Sequence, residues 1–173
     1  MRYLFALALL AACKGGADTD ATDDTDVVEA GLSGMWEVSK EWINQGSCQG
    51  KGEESSVPVP FIKLFKNGST LEVTFCSGAD TCPPTPDWYM EADGSTWLQE
   101  THSGEISETY GCMQFYTERT AEIIDGELTL DERDWQLYDS SITGARECDN
   151  AIPEFFGSGG ECTDRHLFTA AKP

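Results

Sequence analysis

Three dipeptides constrain this chain most: Asn67-Gly68, Asp93-Gly94 and Asp125-Gly126. Each interrupts a run of alternating apolar and polar residues, and each supplies the residues that a two-residue type I′ hairpin turn demands, ones that tolerate positive φ. Alternation at period two buries one face of a strand. In FIKLFKNGSTLEVTFC the outgoing limb puts Leu71, Val73 and Phe75 on one face. In FYTERTAEIIDGELTLDERDW, Ala121 and Ile123 lead into the turn and Leu128 and Leu130 lead out. DWYMEADGSTWLQETH carries the third hairpin. GMWEVSKEWI, with Trp36, Val38 and Trp42 at even spacing, reads as a first strand. QLYDSSITGARECD reads as a strand pair around Thr143-Gly144, and ECTDRHLFTAA as the last strand. The expected fold is all-β, an antiparallel up-and-down meander of about eight strands, closed as a barrel or curled as a sheet. A two-sheet sandwich satisfies the same turn spacing. Residues 47–60 and 155–160 read as long loops.

Cysteine usage adds covalent constraints. Of seven cysteines, Cys48, Cys76, Cys82, Cys112, Cys148 and Cys162 fall after residue 31. An even number, with no Cys-x-x-Cys and two histidines in the chain, points to disulfides rather than zinc. Cys76 and Cys82 bracket SGADT and are expected to pair. Cys148 and Cys162 bracket DNAIPEFFGSGGE and are expected to pair. Elimination leaves Cys48 with Cys112. The formal charge of -20, with Lys and Arg scattered, argues against nucleic acid as a partner. It suits a self-repelling, solvated surface.

The N-terminus speaks to location. Arg2, the apolar stretch Leu4 to Leu10, and the small residues Ala11 and Ala12 form a secretory signal too short to span a bilayer. Leu10-Ala11-Ala12-Cys13 resembles the lipobox of bacterial lipoproteins. That resemblance implies cleavage before Cys13, acylation of its thiol and amine, and anchoring in a membrane of the cell envelope, where two or more acyl chains hold stably. Lys14 rather than Asp after the cysteine implies the outer membrane. The expected division is a signal peptide over 1–12, the lipidated cysteine and an acidic tether over 13–30, and a single β domain over 31–173. Asp18, Asp20, Thr22, Asp26 and Glu29 match the ligand spacing of a calcium loop, but Asp23 stands where the turn wants Gly. A solvated spacer is the reading of that stretch.

Gly34-Met35-Trp36 opens the first strand and is similar to the Gly-x-Trp start of lipocalin-like barrels. The resemblance implies that Trp36 plugs one end of the barrel beneath a late arginine, here Arg165. It also implies that the long first loop overhangs the mouth. The Thr-Asp-Tyr segment and terminal helix of that family are not evident here.

No constellation points to catalysis, and no metal site or cofactor is expected. His102 stands near Glu100, Glu105 and Glu108, which reads as a solvated hairpin end. His166 beside Arg165 and Asp164 lacks a Gly-x-Ser-x-Gly elbow, and Ser140 and Ser141 sit in a turn-like stretch. Asn67-Gly68-Ser69 matches a glycosylation sequon but is explained by its turn. Trp36, Trp42, Trp88, Trp97 and Trp135 read chiefly as core. Two readings follow. One is a lipid-anchored envelope module that binds a small apolar ligand. The other is an envelope interaction protein whose barrel is filled with its own side chains, toward which the bulky inward residues lean.

Overall fold

Nine strands form in the computed structural model, which describes residues 32–56, 58–148 and 161–173. They are β1 (Gly34–Gln45), β2 (Glu53–Glu54), β3 (Phe61–Asn67), β4 (Thr70–Cys76), β5 (Trp88–Asp93), β6 (Thr96–Ser107), β7 (Gly111–Ile124), β8 (Glu127–Asp139) and β9 (Glu161–Ala171). Every neighbouring pair is antiparallel, and β9 returns to pair with β1 from Glu37↔Ala171 to Gln45↔Asp164. That closure makes an eight-stranded barrel, with β2 as an extra strand on β1, and rules out the sandwich.

The period-two pattern explains the core. Ile62 and Leu64 on β3, Leu71 and Val73 on β4, Trp88 and Met90 on β5, Leu128 and Leu130 on β8, and Phe168 and Ala170 on β9 all point inward and are buried. Polar neighbours such as Lys63, Glu91 and Thr129 alternate with them outside.

Two of the three hairpin turns sit one residue later than expected. Asn67 pairs with Thr70 and Asp93 with Thr96, so the central residues are Gly68-Ser69 and Gly94-Ser95. Only the glycines have positive φ, 62° in each, which is the pattern of a type II′ turn. A serine resists the second positive φ that type I′ needs, so the register shifts to give it an ordinary conformation. The third turn is as expected: Ile124 pairs with Glu127, and Asp125 (φ 52°) and Gly126 (φ 82°) supply both positive angles.

The expected strand pair around Thr143-Gly144 does not form. Asp139 ends β8 by accepting the backbone N–H and hydroxyl of Ser141 at 2.8 and 2.5 Å. Residues 145–148 make a helical turn, with the Cys148 N–H donating to Gly144 O at 3.0 Å. Loop 47–60 holds β2, whereas the expected loop 155–160 lies outside the described residues.

The two ends of the barrel differ. The tight turns at 68–69, 94–95 and 125–126, the start of β1 and the end of β9 share one end. The longer connections lie at the other, and all three disulfides are there. Their pairings are Cys76–Cys82, as expected, and Cys48–Cys162 and Cys112–Cys148, which replace the expected Cys148–Cys162 and Cys48–Cys112. The reason is topological. Closing β1 on β9 brings the loop after β1 beside the start of β9, with Cα atoms 5.5 Å apart at Cys48 and Cys162. The helical turn after β8 folds back over the first residues of β7, bringing Cys148 to Cys112 at 5.4 Å.

Candidate functional site

The barrel interior has two chemistries. At the tight-turn end it is dry: Ile62, Leu71, Val73, Met90, Ala121, Leu128, Leu130 and Ala170 have 0% exposure, and Trp36 has 2%. The Trp36 indole N–H donates to Leu32 O at 2.9 Å, so its one polar atom is satisfied.

Towards the end with the longer connections the inward positions turn polar. Arg119 on β7 pairs with Glu132 on β8, donates to Gln99 on β6 at 3.2 Å, and lies over the Trp88 ring at 5.2 Å. Thr117 donates to Asp134 at 2.5 Å. Glu41 on β1 is 5% exposed. It accepts the Val59 N–H at 2.8 Å and meets His166 Nε2 at 2.5 Å. Beneath these groups Trp88, Phe75 and Phe168 pack ring to ring, with centroids 4.8 and 5.1 Å apart. Each buried charge thus has an opposite or polar partner, as burial requires. The mouth is a satisfied polar collar above an aromatic floor.

Two of these arrangements bear on sequence reasoning. Arg119 and Thr117 share the parity of Ala121, and Glu132 and Asp134 that of Leu130, so alternation alone held the signal for the first cluster. Glu41 is different. A bulge between Val38 and Lys40 reverses the parity of β1, turning Glu41 inward and Trp42 outward, against the expected even-spaced face of Trp36, Val38 and Trp42. Trp42 instead packs outside with Lys51 at 4.4 Å.

The expected stacking of Arg165 on Trp36 is not found. Arg165 pairs across the sheet with Asn44, at the opposite end of β1 from Trp36. It faces outward, where it grips Asp131 through two bonds of 2.8 Å and donates to Gly50 O at 2.7 Å. Those bonds to Asp131 raise its already high pKa. The cation over Trp36 is Lys172, 5.3 Å from the ring, which also donates to Ser33 O. Arg165 and Cys48–Cys162 together fasten loop 46–52 to the outside of the barrel. Gly52 permits the return of that loop: its φ is +81°, and a Cβ there would stand 2.3 Å from Ile43 O.

On the outer wall His102, Tyr116 and Trp135 form a row across β6, β7 and β8, with ring centroids 4.8 and 5.0 Å apart. His102 therefore stands within a strand rather than at a hairpin end. Tyr116 donates to Glu100 at 2.5 Å. Burial, reinforced by Glu100 and Glu118, pushes its phenol well above the usual tyrosine range. Trp88 and Trp97 join Trp36 in the core, whereas Trp42 and Trp135 are half-buried outside. Ser140 and Ser141 lie in the turn after β8, remote from His166 on the inner face of β9. Among the described residues no group of His, Cys, Asp and Glu is placed to hold a metal ion. Cys13 lies outside the described residues.

No protein-family model matches the chain, no curated protein matches it, and no solved structure matches it.

Proposed function

We propose that this chain is a lipid-anchored protein of the cell envelope, moored through Cys13 in the outer membrane, whose barrel is a filled scaffold that meets a partner through its outer surface. The supporting observation is the dry core. A cavity roomy enough for an apolar ligand would leave its lining side chains open to a water-sized probe, whereas the inward residues of β3, β4, β8 and β9 at the tight-turn end have 0–2% exposure. The polar collar adds to this, since an apolar ligand entering through the mouth would have to strip solvent from Arg119, Glu132 and Asp134. The three stapled connections support a role in presenting a rigid rim. The anchor rests on the lipobox-like Leu10-Ala11-Ala12-Cys13.

The test combines two measurements on the full chain. Cys13→Ser should move the protein from the membrane fraction to the soluble fraction in high salt. A fluorescent fatty-acid probe titrated into that soluble protein should show no saturable binding. A variant that stays membrane-bound would remove the anchor, and one-to-one probe binding would restore the ligand-carrying reading.

A further inference from the structure

One row crosses the outer wall where it is best exposed. Phe65 on β3 pairs with Glu72 on β4, and Glu72 pairs with Tyr89 on β5. All three have the parity opposite to the buried Leu64, Leu71 and Met90, so they point outward. Phe65 is 52% exposed and Tyr89 51%, whereas Glu72 between them is half-buried. The neighbouring carboxylates on this wall have partners. Asp87 accepts the Phe75 N–H at 2.8 Å, and Glu91 accepts the hydroxyls of Thr70 at 3.0 Å and Ser69 at 3.2 Å. Glu72 has no hydrogen bond and no ion pair among the described residues. Lys63, two residues before Phe65, makes no ion pair among them either. A carboxylate partly withdrawn from water without a partner carries a desolvation cost that a bound cation relieves.

The spacing and charge of the row define the cation. Phe65 and Tyr89 stand two strand spacings apart, ~9.6 Å. A cation seated above Glu72 is then ~4.8 Å from each ring position, inside the ~6 Å reach of a cation–π contact. From residue 67 to residue 118 the chain contains no Lys or Arg, so β4 and β5 supply no cation of their own. Residues 15–30 are a poor occupant, with six carboxylates and no Lys or Arg. Residues 149–160 are bounded by Cys148, bonded to Cys112 on β7, and by Glu161 on β9, across the barrel from β4. A second copy carries the same formal charge of -20, which opposes self-association. We infer that Phe65, Glu72 and Tyr89 form a docking site for an arginine side chain of a partner protein. A guanidinium fork matches a carboxylate and its faces stack on aromatic rings, and an ammonium does neither as well. This inference names the surface and the partner chemistry for the scaffold reading above and rests on it, yet it can fail alone. Membrane release and the fatty-acid titration do not involve this row.

The experiment uses the full-length Cys13→Ser protein and three capped tripeptides: Gly-Arg-Gly, Gly-Lys-Gly and Gly-citrulline-Gly. Citrulline keeps the shape of arginine and removes its charge. Amide chemical shifts are followed by nuclear magnetic resonance at about 0.15 M salt, which screens exposed charges beyond about 8 Å. The expected result is saturable binding of the arginine peptide with a Kd on the order of 1 mM, suited to a single side chain. Its shift changes should centre on residues 65, 72 and 89. The lysine peptide should bind several-fold more weakly, and the citrulline peptide should not saturate. Glu72→Gln should weaken the arginine peptide about tenfold, and Phe65→Ala and Tyr89→Ala several-fold each. Shifts of β7 and β8, on the opposite wall, should stay as they are in all three variants. Equal binding of the citrulline or lysine peptide would overturn the inference, and needs no variant to fold. So would undiminished binding by Glu72→Gln, shift changes spread over the whole acidic surface, or no saturation about tenfold above that Kd.

Discussion

Trp36 and Arg165 lie about eight residues apart along the barrel wall, ~26 Å at the rise of a strand, so substitutions at the two should act independently. Trp36→Ala is expected to destabilise by about 3–5 kcal/mol, the usual cost of emptying a large aromatic site in a core. Its double-mutant cycle with Arg165→Ala should close to within ~0.5 kcal/mol. The cycle with Lys172→Ala should show coupling of about 0.5–1 kcal/mol, the range of an exposed cation over a ring. Chemical denaturation of the five variants checks both cycles, and coupling between Trp36 and Arg165 would contradict the register. Tyr116 makes a second residue-scale prediction. Its phenol is held protonated by burial and by Glu100 and Glu118, so the folded pKa lies above the unfolded one. The stability linked to it is then fully present below pH ~10, the ordinary tyrosine value, and is lost as pH rises from there towards the folded pKa. Ultraviolet titration should show one tyrosine that does not ionise with the rest, and Glu100→Gln should move it back towards them. Uniform titration of all the tyrosines would sink this.

At the scale of elements, the hairpins were legible because glycine states its purpose locally. Gly68, Gly94 and Gly126 each mark a turn, and alternation on either side marks the buried face. What the local pattern could not show is which of two adjacent registers wins. That depended on Ser69 and Ser95 refusing a positive φ, where Asp125 accepts one. The bulge in β1 was hidden for a related reason: nothing within SKEWI announces an extra residue, and the inward turn of Glu41 is stabilised by Val59 and His166 from distant segments. Disulfide pairing followed the same rule. Cys76–Cys82 closes a local loop and could be read. The other two bonds depend on barrel closure, which brings together residues separated by 114 and 36 positions. In the chain-entropy model, replacing each pair by alanine should cost about 5 kcal/mol for Cys48–Cys162, about 4 for Cys112–Cys148 and about 2 for Cys76–Cys82. Peptide mapping of the unreduced protein followed by denaturation of the three variants checks both pairing and order. Recovery of Cys148 linked to Cys162 would contradict the topology.

For the whole molecule, the contrast between the two ends carries the account. One end is closed by tight turns over a core that has no space for water. The other is a polar collar rimmed by connections that disulfides hold in place. The polar collar was half-visible in the sequence, since the parity of Ala121 and Leu130 already placed Arg119 and Glu132 on the inner face. Barrel closure was only one of several solutions consistent with the turn spacing until β9 was found against β1. The short pairing of β5 with β6, three residues long, was not visible at all, because its cause is the shortness of β5 relative to β6, and strand ends are poorly marked where residues such as Gln99 to Glu105 are polar on both faces. The most direct test of the filled-scaffold account is a native mass spectrum of the oxidised protein, purified without denaturant. For a protein carrying Cys13→Ser, the account predicts a single species at the mass of the bare chain with three disulfides. A stoichiometric apolar molecule that stays bound through desolvation, and is lost only on unfolding, would contradict it.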